Sequence, residues 1–150
     1  MTDLHVSFRT IFTVPEGKMG EFQAGFSDFY KKTSAGTAKT GRCLYYGFAV
    51  NENTVICREG YKNSKDILDH STEVEQELGK AMSIVGGMQS GLKLEVFGPE
   101  AELKKLEVIL EPFNTKFYYL DQGSMAFFKE VDQVILEDSH VTIAPFFKVG

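Results

Sequence analysis

Tryptophan is absent from this 150-residue sequence, and cysteine and histidine are sparse, at two and three copies. No site in the chain can use an indole ring or its N–H. Basic clusters are equally short: none exceeds Lys31-Lys32 or Lys104-Lys105, and 16 Lys and Arg against 21 Asp and Glu leave a net charge of −5. That balance offers no electrostatic footprint for a phosphate backbone, so nucleic acid is not an expected partner. No apolar run approaches the roughly 20 residues of a membrane span, and no membrane contact is expected. The start, Met1-Thr-Asp-Leu-His5, lacks the basic and apolar segments of a secretory signal, which makes the cytoplasm the expected address. Also missing are a G-x-G-x-x-G or P-loop for nucleotides, a G-x-S-x-G nucleophile elbow, and H-E-x-x-H or paired-carboxylate spacing for a metal. No cofactor and no metal is expected.

What is present suits one soluble domain over residues 1–150, since 43% hydrophobic residues with 13 Phe suffice for a core. The two cysteines lie in apolar runs joined by Asn51-Glu-Asn-Thr54, which read as a hairpin. Pairing Val50 with Val55 sets Cys57 opposite Phe48 and leaves Cys43 about five positions further along, on the order of 16 Å away at strand rise. A bridge within the chain cannot span that. Both are expected to be small buried residues of a reduced protein.

Val6 to Val14 alternates, with Val6, Phe8, Thr10, Phe12 and Val14 on one face and Ser7, Arg9, Ile11 and Thr13 on the other: a strand stopped by Pro15-Glu-Gly17. From Lys18 the period changes to three and four, with Met19, Phe22, Phe26, Phe29, Tyr30 and Thr33 as an aromatic helix stripe. After the hairpin, Ser64 can cap a helical stretch through His70, and Thr72 with Glu75 has the form of a capping box leading into Val74, Leu78, Met82 and Val85. One kinked helix or two fits this pattern. Leu92, Leu94 and Val96 alternate as a fourth strand closed by Gly98-Pro99. The order predicts an α+β, ferredoxin-like βαββαβ fold, an antiparallel sheet with both helices on one face. Residues 100–150 read as a C-terminal elaboration of this 1–99 core: a helix from Ala101 to Leu110, strands at Lys116–Leu120 and Met125–Lys129, and an apolar tail, Val141–Val149, that could pair, wrap a partner or cap a pocket. The face opposite the helices carries Ser7, Arg9 and Ile11, with Tyr45, Gly47, Ala49 and Phe97 beside it, a mixture suited to pairing two sheets.

The segment Glu59-Gly-Tyr61-Lys-Asn-Ser64-Lys-Asp-Ile-Leu-Asp-His70 resembles the E-x-(Y/W)-x-s-x-x-a-x-x-x-H stretch of the antibiotic biosynthesis monooxygenase-like (ABM-like) family of the dimeric α/β-barrel superfamily. Val14-Pro-Glu-Gly-Lys18, Gly41-Arg-Cys-Leu-Tyr-Tyr-Gly47 and Phe97-Gly-Pro99 agree with it. The resemblance covers the first two thirds of the chain. It implies a homodimer, a dimeric α/β barrel in which two sheets face each other, with a small pocket in each subunit. It also implies two departures: members that oxidise phenols without a cofactor, or degrade haem, rely on an Asn on the first strand and a Trp near the end of the third, where this chain has Thr10 and Tyr61.

The alternation places Thr10 on the helix-facing side of the first strand, and Glu59 and Tyr61 together on the third. With His70 two turns into the next helix, the four converge on one apolar cavity, the usual form of a small-molecule site. His70 is the candidate general base, Tyr61 the donor to a ligand oxyanion, and Glu59 the group that orients His70. Thr10, Phe22 and Phe26 are candidate ligand contacts, the Phe stripe favouring a flat aromatic or quinone-like molecule. Each has a plainer use as well: a hydrogen-bonded structural histidine, or Phe side chains that only fill the core. The functional expectation is a small-molecule-binding homodimer, either a cofactor-independent monooxygenase or a protein that keeps the fold without the chemistry.

Overall fold

The computed structural model describes residues 4–121 and 141–150. Strand β1 (Val6–Thr13) is followed by helices α1 (Met19–Ala24) and α2 (Phe26–Ala35), then by the hairpin of β2 (Cys43–Asn51) and β3 (Thr54–Tyr61). Helices α3 (Ser64–Glu73), α4 (Glu75–Ile84) and the single turn α5 (Met88–Gly91) lead into β4 (Leu92–Gly98). Beyond it come α6 (Glu100–Leu103), α7 (Glu107–Leu110), a 3-10 turn (Glu111–Phe113) and β5 (Thr115–Tyr119). The sheet order is β2-β3-β1-β4-β5; the first four strands pair antiparallel, and β5 joins the β4 edge in parallel. This is the expected ferredoxin-like α+β core with an added strand. No helix of the described residues is long and apolar enough to cross a membrane.

The hairpin has the predicted register, Val50 opposite Val55 and Phe48 opposite Cys57, and both cysteines are buried and free. The helix boundaries differ from the sequence reading in ways that local chemistry explains. The aromatic helix breaks at Gly25, whose N–H turns back to Phe22. Asn63, not Ser64, caps α3, its side chain accepting from Asp66 N–H; Ser64 is the first helical residue and bonds Glu102 instead. The expected capping box does not form, because Thr72 lies inside α3 and bonds Leu68 C=O, so α4 starts from Val74 without a side-chain cap. The helix over Ala101–Leu110 is two short ones, with residues 104–106 between them. The strand expected at Met125–Lys129 lies outside the described residues, and the tail from Val141 carries no regular structure.

Alternation along β1 buries Val6, Phe8 and Phe12 against Phe22 and Phe29 of the first helix pair and Ile67 of α3. The opposite face carries Arg9, whose Nε donates to Glu95 at 2.9 Å and whose guanidinium lies over Phe97 (5.9 Å) and over Phe146 of the tail (5.1 Å). The added segment belongs to the core: Leu103 and Leu106 are fully buried, and Leu103 packs near the Gly98 backbone. Leu103→Ala is therefore expected to lower stability by about 2–5 kcal/mol, while Val108→Ala, at a largely exposed position, changes it by less than about 0.5 kcal/mol. Chemical denaturation of the two variants checks this, and equal small effects would show the segment to be loosely attached.

Candidate active site

The register brings six inward side chains into two rows of three. Glu59 lies between Tyr46 of β2 and Phe8 of β1, and Cys57 between Phe48 and Thr10. Strand β3 thus presents a carboxyl in the middle of an apolar layer, where a charge without partners is costly. Two hydroxyls meet it: Thr10 donates to Oε1 at 3.0 Å and Tyr61 to Oε2 at 2.9 Å. Burial pushes the Glu59 carboxyl above its ordinary 4.5, while His70 and the bonds from Tyr61 and Thr10 pull the other way without cancelling it. Burial also holds the Tyr61 phenol well above its usual range, with the Glu59 charge adding to the effect, so this hydroxyl stays a donor. The Cys43 thiol is pushed up to about 12, first by burial, which leaves it unreactive near neutral pH.

His70 sits on the inner face of α3, 2% exposed, with its ring 5.0 Å from that of Tyr46 and 5.4 Å from that of Tyr61. Its Nδ1 is 3.1 Å from Glu73 Oε2, one turn along the same helix. Glu73 is itself clamped, accepting from Thr37 N–H at 2.7 Å and from the Thr37 hydroxyl at 2.9 Å. A carboxylate that already accepts two bonds accepts a third, so the proton of neutral His70 is assigned to Nδ1 and the lone pair to Nε2. The clamp also needs Gly36, where an added Cβ would fall 1.3 Å from Glu73 Oε1. Nε2 lies 3.7 Å from Glu59 Oε2, too far for a direct bond.

A cavity of about 160 Å³ opens at this point, with Thr10, Tyr46, Phe48, Cys57 and Glu59 along its sheet side and His70, Ile67, Leu68, Ser71 and Val74 of the helix layer above. The expected Thr10, Glu59 and His70 come together here. Tyr61 stands behind Glu59, fully buried and outside the lining. Phe22 and Phe26 are outside it too: Phe22 packs on Phe12, and Phe26 stacks on Phe48 with ring centres 4.1 Å apart; of that stacked pair Phe48 reaches the cavity, and of the helix stripe Phe29 does. Sequence reasoning missed Tyr46, Phe48 and Glu73. The His70-x-x-Glu73 spacing, three residues apart on one helix face, was the available signal for the last. The Nδ1 partner is thus Glu73, and Glu59 faces the other ring nitrogen.

Fold and site together define an α+β protein of ferredoxin-like topology that holds a carboxyl and an imidazole, unbonded to each other, in an apolar pocket between sheet and helices. Comparison with known structures agrees. MupZ from Pseudomonas fluorescens is 30% identical, with a TM-score of 0.71 over 83% of this chain and 96% of its own. A protein provisionally described as an antibiotic biosynthesis monooxygenase from Caulobacter crescentus is 16% identical, with a TM-score of 0.54 over 63% of this chain and 88% of its own. Another of that description, from Nitrosomonas europaea, is 14% identical, with a TM-score of 0.52 over 67% and 94%. No protein-family profile matches the sequence, and no curated protein matches it. The chain belongs to the antibiotic biosynthesis monooxygenase-like family.

The raised Glu59 carboxyl has a sign that can be measured. The folded protein holds this proton to higher pH than the unfolded chain, so the group's contribution is present below 4.5 and is lost as pH rises through the folded value. Glu59→Gln is expected to flatten the fall in melting temperature above about pH 4.5. Identical pH profiles for variant and parent would show that folding does not raise the Glu59 carboxyl.

Proposed function

We propose that this protein is a cofactor-independent acid–base enzyme that binds a small, flat, hydroxylated aromatic molecule and promotes its oxidation by O2. The observation that carries the reading is the Glu73–His70 pair, which turns the Nε2 lone pair toward an apolar cavity that also holds Glu59. His70 removes the hydroxyl proton, and Glu73 stabilises the imidazolium so formed. Glu59, favoured in its protonated form, donates a hydrogen bond to the ligand oxyanion. Tyr61 and Thr10 keep Glu59 in place, which makes them positioning residues. The anion then reduces O2: a ring C–H carbon becomes a carbonyl, one oxygen atom stays on that carbon and the other leaves as water, with no further reductant. Geometry supports the deprotonation step; the oxygen step is supported by the description of structural relatives as antibiotic biosynthesis monooxygenases.

A non-catalytic ligand carrier of the same fold is the second reading, favoured by one observation: the hydroxyls of Thr10 and Tyr61 are both engaged by Glu59. 1-Naphthol separates the two. It is expected to bind with naphtholate fluorescence and to consume one O2 for each naphthoquinone formed. His70→Ala should retain binding within a few-fold, lose the naphtholate emission and lower O2 uptake by about 10²–10⁴-fold. Binding without uptake by the parent protein supports the carrier, and no binding at all overturns both readings.

We propose further that the protein works as a homodimer in the cytoplasm, where its buried thiols stay reduced. The open sheet face supports the dimer: Arg9, Tyr45, Ile56, Phe97 and Tyr118 lie there beside a tail whose Ile143 and Phe147 are exposed. Burying that surface between two copies gives it a partner. Sedimentation equilibrium should return twice the chain mass, and a monomer at micromolar concentration would remove the proposal.

A further inference from the structure

One wall of the cavity comes from residues beyond the four-strand core. After β4 the chain turns through α6, α7 and the 3-10 turn before re-entering the sheet as β5, and Ile109, Leu110 and Phe113 from this segment line the cavity beside Leu92 and Leu94. The wall is fastened by backbone. Leu94 N–H donates to Asn114 C=O at 3.2 Å, and the Thr115 hydroxyl donates to Leu110 C=O at 2.6 Å. Asn114 takes a left-handed φ of 53° to close the turn, a conformation that asparagine tolerates better than most residues.

The cavity has a direction. Glu59 is 6% exposed at one side of the lining, whereas Ile109 is 48% exposed at the other, so the polar side lies deep and the apolar wall stands nearer the surface. Strands β3 and β4 are two places apart in the sheet. At about 4.8 Å per strand the acid–base pair lies about 10 Å from the aliphatic wall. A ligand whose hydroxyl reaches His70 must run across β1 and β4 with its body pointing at Ile109 and Phe113.

We infer that Ile109 and Phe113 are specificity-determining residues, and that the ligand class is a hydroxylated aromatic carrying an apolar arm opposite its hydroxyl. The inference rests on the acid–base reading above, which places the hydroxyl at the deep, polar side. Calorimetry with 4-alkylphenols from methyl to decyl tests it. In the parent protein affinity should rise with each added methylene up to a cut-off length and then fall. Phe113→Ala should move the cut-off to longer chains. Ile109→Trp, a change at a half-exposed position, should weaken the longest binding phenol at least tenfold and leave phenol itself within twofold. Binding with the same chain-length profile in both folded variants overturns this inference alone. If no phenol of any length binds the parent protein, the acid–base reading falls and takes this inference with it.

Discussion

A single carboxyl inside an apolar layer organises this protein. The alternation of β3 obliges Glu59 to face the helices, and a buried carboxyl is tolerated only with partners. Thr10 bonds it from the neighbouring strand and Tyr61 from two residues along its own, while His70, on the helix that begins just past the strand, stands 3.7 Å away without bonding it. His70 in turn needs a fixed ring orientation, and obtains it from Glu73, which Thr37 clamps in a space that only Gly36 leaves free. Elements far apart in the chain are thus tied to one polar atom pair. The clamp reaches back to the loop after α2, which carries no chemistry of its own.

Legibility in the sequence followed the range of the interaction concerned. Strands and hairpin register could be read because strand alternation and a short polar loop are local patterns, and Val50 did pair with Val55. Helix ends were read less well, since capping is a competition among neighbours. Asn63 outcompetes Ser64 because the serine is drawn to Glu102, a residue 38 positions away. The parallel addition of β5 depends on two short helices and a 3-10 turn, none of which has a strong period. In the site, Thr10, Glu59 and His70 were found from strand parity and helix spacing. Glu73 was missed because its importance comes from Thr37 and Gly36, which approach it only in the folded chain. Phe26 stood out because the helical stripe is conspicuous, although it is Phe29 of that stripe, and the β2 ring of Phe48 stacked on Phe26, that reach the cavity.

The open face shows how one layer serves two ends. Arg9 is the outward neighbour of Thr10 on β1, so the strand that supplies a donor to Glu59 also holds the guanidinium lying between Phe97 and Phe146. Glu95 is nearly buried on that face, and its charge is met by Arg9 and by the Tyr118 hydroxyl at 3.4 Å. Sheet pleating therefore links the site on one side to the surface on the other through single-residue offsets. A shift of β1 by one residue would place Arg9 in the cavity and Thr10 on the outer face, exchanging both functions at once.

The two departures that the family resemblance implies converge on the same carboxyl. Thr10 and Tyr61 stand where the resemblance places an Asn and a Trp, and both spend their hydroxyl protons on Glu59. An amide or an indole in those places would offer N–H donors in place of hydroxyls. Two hydroxyls at about 3 Å instead hold Glu59 from the sheet side and leave its cavity side for a ligand. What a ligand oxygen meets here is a carboxyl whose burial favours the protonated form, beside an imidazole whose other nitrogen is already committed. In the proposed reading the absence of tryptophan goes together with a different donor, the Glu59 carboxyl that Thr10 and Tyr61 hold in place.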